Sequence, residues 1–60
     1  MEEKERFLRV FANLPLGVRK EIILVLNDQP ITWEVAFIEV DNDTELSHEI
    51  LERLSELKLI

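Results

Sequence analysis

Four apolar side chains near the start of the chain, Phe7, Val10, Phe11 and Leu14, follow the i, i+3, i+4, i+7 spacing of one helical face. They predict an amphipathic helix over residues 2–13. The acid-first pairs Glu2–Arg6 and Glu5–Arg9 support it by about a few tenths of a kcal/mol each. Pro15 ends the segment by steering Leu14 out of helical dihedrals, and Gly17 loosens the chain just beyond. Trp33, Ala36, Phe37 and Val40 repeat the same spacing behind Thr32, a good helix N-cap, with Glu34 in the first turn where the helix dipole favours an acid. Asp41-Asn42-Asp43-Thr44 reads as a connector, because these side chains compete with helical hydrogen bonds and favour caps. Leu46, Ile50, Leu54 and Leu57, widened by Leu51, then stripe a last helix that begins near Asp43 or Thr44 and carries the favourably ordered pair Glu49–Arg53.

Between these segments, Val18 to Leu26 fits two templates. As a helix it places Val18, Ile22, Val25 and Leu26 on one face, with Asn27 at its C-terminus and Pro30 as a stop. As a strand, Ile22-Ile23-Leu24-Val25-Leu26 is a short, largely β-branched run that can be fully buried, followed by a hairpin into a second strand at 31–38. A turn through Asp28-Gln29 lacks the Gly or Asn-Gly that two-residue hairpins usually require. The helix is therefore preferred. The fold expected is all-α, a trihelical arrangement of three to four short helices in one domain spanning 1–60. An α+β fold with a β-hairpin at 21–38 and flanking helices is the alternative, and it would leave an unpaired strand edge as the natural contact between two copies.

Size changes the picture next. A chain of 60 residues buries only about 60% of the surface it exposes when unfolded. Chains of this size often depend on disulfides, metals or oligomerisation. Cysteine is absent, which removes disulfides, thiolate catalysis and the usual zinc sites. Yet 47% of the residues are hydrophobic, leaving apolar surface over once a small core is filled. Ile23, Val35, Ile38 and the Leu59-Ile60 end fit no single face. Self-association is the expected use of such a surface. No secretory signal is apparent, and the longest apolar run, Ile22–Leu26, falls far short of the roughly 20 residues of a membrane span. The expectation is a cytoplasmic protein with no membrane contact.

Charge is divided along the chain. Residues 1–20 carry five basic side chains against three acidic, whereas residues 21–60 carry Arg53 and Lys58 against ten acids, giving a formal net charge of −6 overall. Such asymmetry orients contacts between copies or docks a basic partner on the C-terminal half.

The order of helix, short connector and Leu-rich helix has the spacing of a helix-turn-helix, with Leu46 ten residues after Ala36. The segment Glu49–Ile60 resembles the close of a recognition helix in winged-helix regulators, where such a helix runs into a Gly-Leu-Ile-like step before the wing. The resemblance covers roughly residues 18–60, and Lys58 stands where that family usually has Gly. It implies a DNA-binding helix after Thr44, with Ser47, His48 and Arg53 facing base edges and Arg6, Arg9, Arg19 and Lys20 on phosphates. Glu45, Glu49, Glu52 and Glu56 on that same helix oppose it, because phosphate contacts from Lys and Arg supply most non-specific affinity.

Other chemistry is poorly supported. Asp41, Asp43, Glu45, Glu49 and Glu52 match the carboxylate offsets of a calcium loop, but the position that needs Gly is Leu46. His48 is the lone histidine, and its neighbour Ser47 points about 100° away on a helix. No catalytic residue, cofactor, metal site or small-molecule substrate is expected. The preferred function is a protein-interaction module that self-associates as a homodimer. Its interface draws on Trp33, Val35, Phe37, Ile38, Leu59 and Ile60, although Trp33 also suits a core. A minimal helix-turn-helix DNA-binding regulator is the alternative.

Overall fold

The computed structural model describes residues 2–60. Helix α1 runs Glu2–Ala12, followed by a 3-10 turn at Val18–Lys20, strands β1 (Ile22–Leu26) and β2 (Gln29–Thr32), and helices α2 (Trp33–Asp41) and α3 (Glu45–Glu56). The architecture is α+β: three helices around a two-stranded antiparallel hairpin. No described helix is long and apolar enough to cross a membrane.

The all-α expectation is thus corrected at residues 18–32, where the hairpin alternative applies. Ile22, Ile23 and Val25 are β-branched, and such side chains lose rotamer freedom in a helix while fitting a pleated strand. The turn forms without glycine because Asn27 (φ 51°) and Asp28 (φ 65°) both take the left-handed conformation of a type I′ turn. Asn and Asp tolerate that region better than other residues because their short polar side chains bond locally. The second strand is far shorter than 31–38. It stops at Thr32, and from Trp33 onward the predicted helix forms.

One irregularity decides what the hairpin presents. Ile22 pairs with Thr32 and Leu24 with Ile31, so Ile23 is an extra residue in β1. Such a bulge flips the side-chain alternation. Leu24 and Leu26 point inward and are buried with Ile31, Ile23 packs against them, and Ile22 is turned outward beside Val25.

Local capping fixes the helix ends. Thr32 closes β2 and caps α2 together, its Oγ1 accepting the Val35 N–H at 3.1 Å, since its extended backbone suits both roles. Thr44 does the same for α3 by accepting the Ser47 N–H at 3.1 Å. Thr44 also completes the end of α2: its N–H donates to Glu39 O at 3.3 Å, the Asp43 N–H donates to Val40 O at 3.2 Å, and its hydroxyl donates to Glu39 Oε1 at 2.6 Å. Helix α3 ends likewise, with Leu59 N–H on Leu54 O at 2.9 Å and Lys58 N–H on Ser55 O at 3.0 Å. These are Schellman closures, which place one residue in the left-handed region. Here those residues are Asp43 (φ 51°) and Lys58 (φ 60°) rather than glycine.

Phe7, Leu24, Leu26, Ile31, Trp33, Ala36, Val40, Ile50 and Leu54 form the core, to which every regular element except the 3-10 turn contributes. Of the ion pairs anticipated within helices, Glu2–Arg6 is present at 3.9 Å; a longer-range pair, Lys4–Asp43 at 3.1 Å, ties α1 to the α2–α3 connector. Glu5–Arg9 and Glu49–Arg53 do not form ion pairs among the described residues.

Two substitutions test the caps. Thr44→Ala removes hydrogen bonds at two helix ends and should lower unfolding stability by about 1–2 kcal/mol. Lys58→Gly relieves a left-handed residue and should raise stability by about 0.5–1 kcal/mol, several degrees in Tm for a chain of this size. Thermal melts followed by circular dichroism would check both, and a Tm that falls for Lys58→Gly would contradict the closure.

Candidate interaction surfaces

All four aromatic rings of the chain lie in one row. Phe7 and Phe11 project from α1 at i,i+4 spacing, and Trp33 and Phe37 project from α2 at the same spacing. Their ring centroids are 6.0 Å apart for Trp33–Phe7, 6.0 Å for Phe7–Phe11 and 4.5 Å for Phe11–Phe37, the last pair nearly parallel. The row runs from the buried centre, where Phe7 is fully enclosed, to the half-buried edge at Phe37.

Arg19, delivered by the 3-10 turn, covers that edge. Its guanidinium carbon stands 4.4 Å from the Phe11 ring centroid, and Nη2 donates to the Phe11 carbonyl at 3.2 Å. Its Nε is enclosed with no hydrogen-bond partner among the described residues. Phe11, Arg19, Glu34, Phe37 and Ile38 line an open groove, with Ile38 55% exposed. Six of the nine residues of α2 are apolar, so burying Trp33, Ala36 and Val40 inward still leaves apolar side chains on its outer side.

The predicted interface residues divide accordingly. Ile38 is exposed, Phe37 is half-buried in the groove, and Val35 is half-buried against the core. Trp33 is only 7% exposed and belongs to the core, because its ring must sit against Phe7. At the far end of α3, Leu59 is exposed and Ile60 packs against the core; Leu57, not anticipated as a contact, is exposed as well.

Residues considered for DNA contact do not converge on one face of α3. Ser47 is buried, its hydroxyl donating to the Thr44 carbonyl, which removes it from any base-reading role. His48 and Arg53 are exposed, but so are Glu45, Glu49, Glu52 and Glu56. Arg6 does lie beside α3, with Nη2 3.4 Å from Ser55 Oγ. Arg19 is committed to Phe11, while Arg9 and Lys20 are exposed on α1 and at the end of the 3-10 turn. His48 shares a second groove with Glu3, Lys4, Asp43, Leu51 and Glu52, and no group of three or more metal-ligating side chains occurs among the described residues.

Periodicity did not anticipate the outer face of the hairpin. Ile22 is 60% and Val25 64% exposed, with Pro30 exposed opposite Val25. A helical reading of 18–26 buries both, and only the bulge sends Ile22 outward. Neither family models, curated proteins nor solved structures give a match to this chain.

The core and groove positions should separate sharply in experiment. Trp33→Ala should cost about 3–5 kcal/mol, comparable to the entire stability of roughly 3–9 kcal/mol that a chain this size holds. Ile38→Lys should stay within about 0.5 kcal/mol at low protein concentration. Urea unfolding of the two variants would test this, and a stable Trp33→Ala protein would contradict the core assignment.

Proposed function

We propose that this chain is a small protein-interaction module that self-associates. The observation carrying this reading is the amount of large apolar surface left outside a nine-residue core: Ile22, Val25, Ile38, Leu57 and Leu59 are all at least two-fifths exposed. Burying each such side chain is worth roughly 1.5–3 kcal/mol, and a single core in a chain this short is marginal. Association therefore supplies stability that the lone fold lacks. An absence of cysteine suits a reducing compartment, which is compatible with a cytoplasmic setting. Binding, rather than catalysis, is the role in this reading, and it calls for neither metal nor cofactor.

A second reading, DNA binding by α3 as the winged-helix resemblance suggests, draws support from Arg6 beside that helix. Four exposed glutamates along α3 weigh against it, since they repel phosphate where base contacts would form.

Sedimentation equilibrium over a wide concentration range tests the first reading: the expected result is a mass rising above 7.1 kDa, with a Tm that climbs with concentration. A 7.1 kDa mass and a constant Tm throughout would refute it. Titration into random-sequence duplex DNA at low salt should show no binding; steeply salt-dependent binding would favour the second reading.

A further inference from the structure

The hairpin has one closed edge and one open edge. In a two-residue hairpin the pair closing the turn, Leu26 and Gln29, exchanges both of its hydrogen bonds, and bonding then alternates along the ladder. Val25 and Pro30 form the next, non-bonded pair, so their backbone polar groups face away from each other. On β2 that outward position is proline, which has no N–H to offer, and three residues later, at Trp33, the chain turns into α2. On β1 it is Val25, with both N–H and C=O available. Among the described residues, no strand other than β2 pairs with β1, and α3 faces its Val25–Leu26 end across a groove. The strand itself, Ile22–Leu26, contains no charge, proline or glycine, the residues that normally guard an edge.

The bulge makes this edge self-matching. By placing Ile23 and Leu24 opposite the single residue Ile31, it brings Ile22 into the same outward phase as Val25. Two antiparallel copies of β1 can then set Ile22 against Val25 of the other copy twice, about a two-fold axis between Ile23 and Leu24. The side chains that meet on the outer face are the two exposed large hydrophobic residues of the hairpin.

Charge specifies the occupant. Continued beyond β1 through Glu21, that register directs Lys20 of the second copy, the last residue of the 3-10 turn, towards the Asn27–Asp28 turn. Beside the turn, Glu49, Glu52 and Arg53 of α3 line a groove with Val25, Leu26 and Asn27. Lys20 is exposed and has no ion-pair partner among the described residues, and Asp28, Glu49 and Glu52 are exposed too. Lys20 thus meets the carboxylates of Asp28, Glu49 and Glu52 once in each direction, as an isologous contact demands, with Glu21 beside Lys20 and Arg53 in the groove as the opposing charges. We infer that the free edge of β1 pairs with β1 of a second copy, giving a continuous four-stranded antiparallel sheet locked by Lys20 against Asp28 and the α3 glutamates. This inference rests on the self-association proposed above and assigns it to the strand edge rather than to the α2 groove. A lone two-stranded sheet is marginal in water, and four strands remove that weakness.

Sedimentation of the full chain and its variants separates the possibilities. Val25→Lys, at an exposed position, should keep the helical circular dichroism signal and lose the dimer. Lys20→Glu should weaken dimerisation by about tenfold or more, and adding Asp28→Lys to it should restore much of the loss. Ile38→Lys should dimerise as the wild type does. For the unaltered protein, exchange of the Val25 amide hydrogen should slow as concentration rises, a readout independent of any variant's folding. An unchanged dimer for Val25→Lys, or a Val25 amide whose exchange ignores concentration, would overturn the edge pairing while leaving self-association in place. A wild type that stays monomeric would overturn both.

Discussion

Packing of two i,i+4 aromatic pairs against each other, Phe7 on Trp33 and Phe11 on Phe37, is the contact on which the rest of the molecule depends. Each ring pair is worth about 0.5–1.5 kcal/mol beyond the area it buries, a large share of what a chain of 60 residues can hold. The row also sets geometry. Trp33 is the first residue of α2 and follows directly from β2, so docking its ring on Phe7 fixes the hairpin over the core as well as the helix. At the other end, Phe11 offers Arg19 both a ring face and a carbonyl, which orders the connection between α1 and β1.

Once that row is in place, the chain has few ways to cover its remaining apolar side chains. Helix α2 is too apolar for its inner face alone, and the bulge in β1 turns Ile22 away from the interior. Small size is the physical reason. A nine-residue core leaves a high ratio of surface to volume, and residues that a larger domain would enclose under another layer remain outside. The same shortage appears in the sheet, whose two strands leave one edge blocked by Pro30 and the other open. Acidic side chains dominate the exposed surface of α3, whereas β1 carries no charge of its own and is preceded by Lys20 and Glu21.

Helix caps and stripes were legible because they are local. Thr32 was recognisable as an N-cap and Asp41–Thr44 as a connector that favours caps, and Thr32 and Thr44 each accept a backbone N–H. The stripes of Phe7 and Phe11, of Trp33, Ala36 and Val40, and of Ile50 and Leu54 turn inward, whereas Leu57, expected on the last of these stripes, is exposed. Val18–Leu26 was misread because apolar residues there satisfy a helical face and a buried strand equally well, and the Asn27-Asp28 turn lacks the glycine that usually signals a hairpin. The outward position of Ile22 had no signal in the pattern, since a strand period of two would have placed it with Leu24 and Leu26.

Of the candidate contact residues, Ile38 and Leu59 stood out in the sequence as apolar positions that no helical face absorbs, and both are exposed. Trp33 and Ser47 are buried instead, because a ring on Phe7 and a hydroxyl on the Thr44 carbonyl are satisfied inside the fold. By itself, then, the sequence determined three helices, their caps, most of the core and the charge imbalance, all of which follow from spacing along the chain. Tertiary structure alone decided that Ile22–Leu26 is a strand, that its bulge turns Ile22 outward, that the rings of α1 pack on those of α2, and that Arg19 is held on Phe11. Those outcomes depend on which distant surface each segment meets, and residue spacing carries no such information.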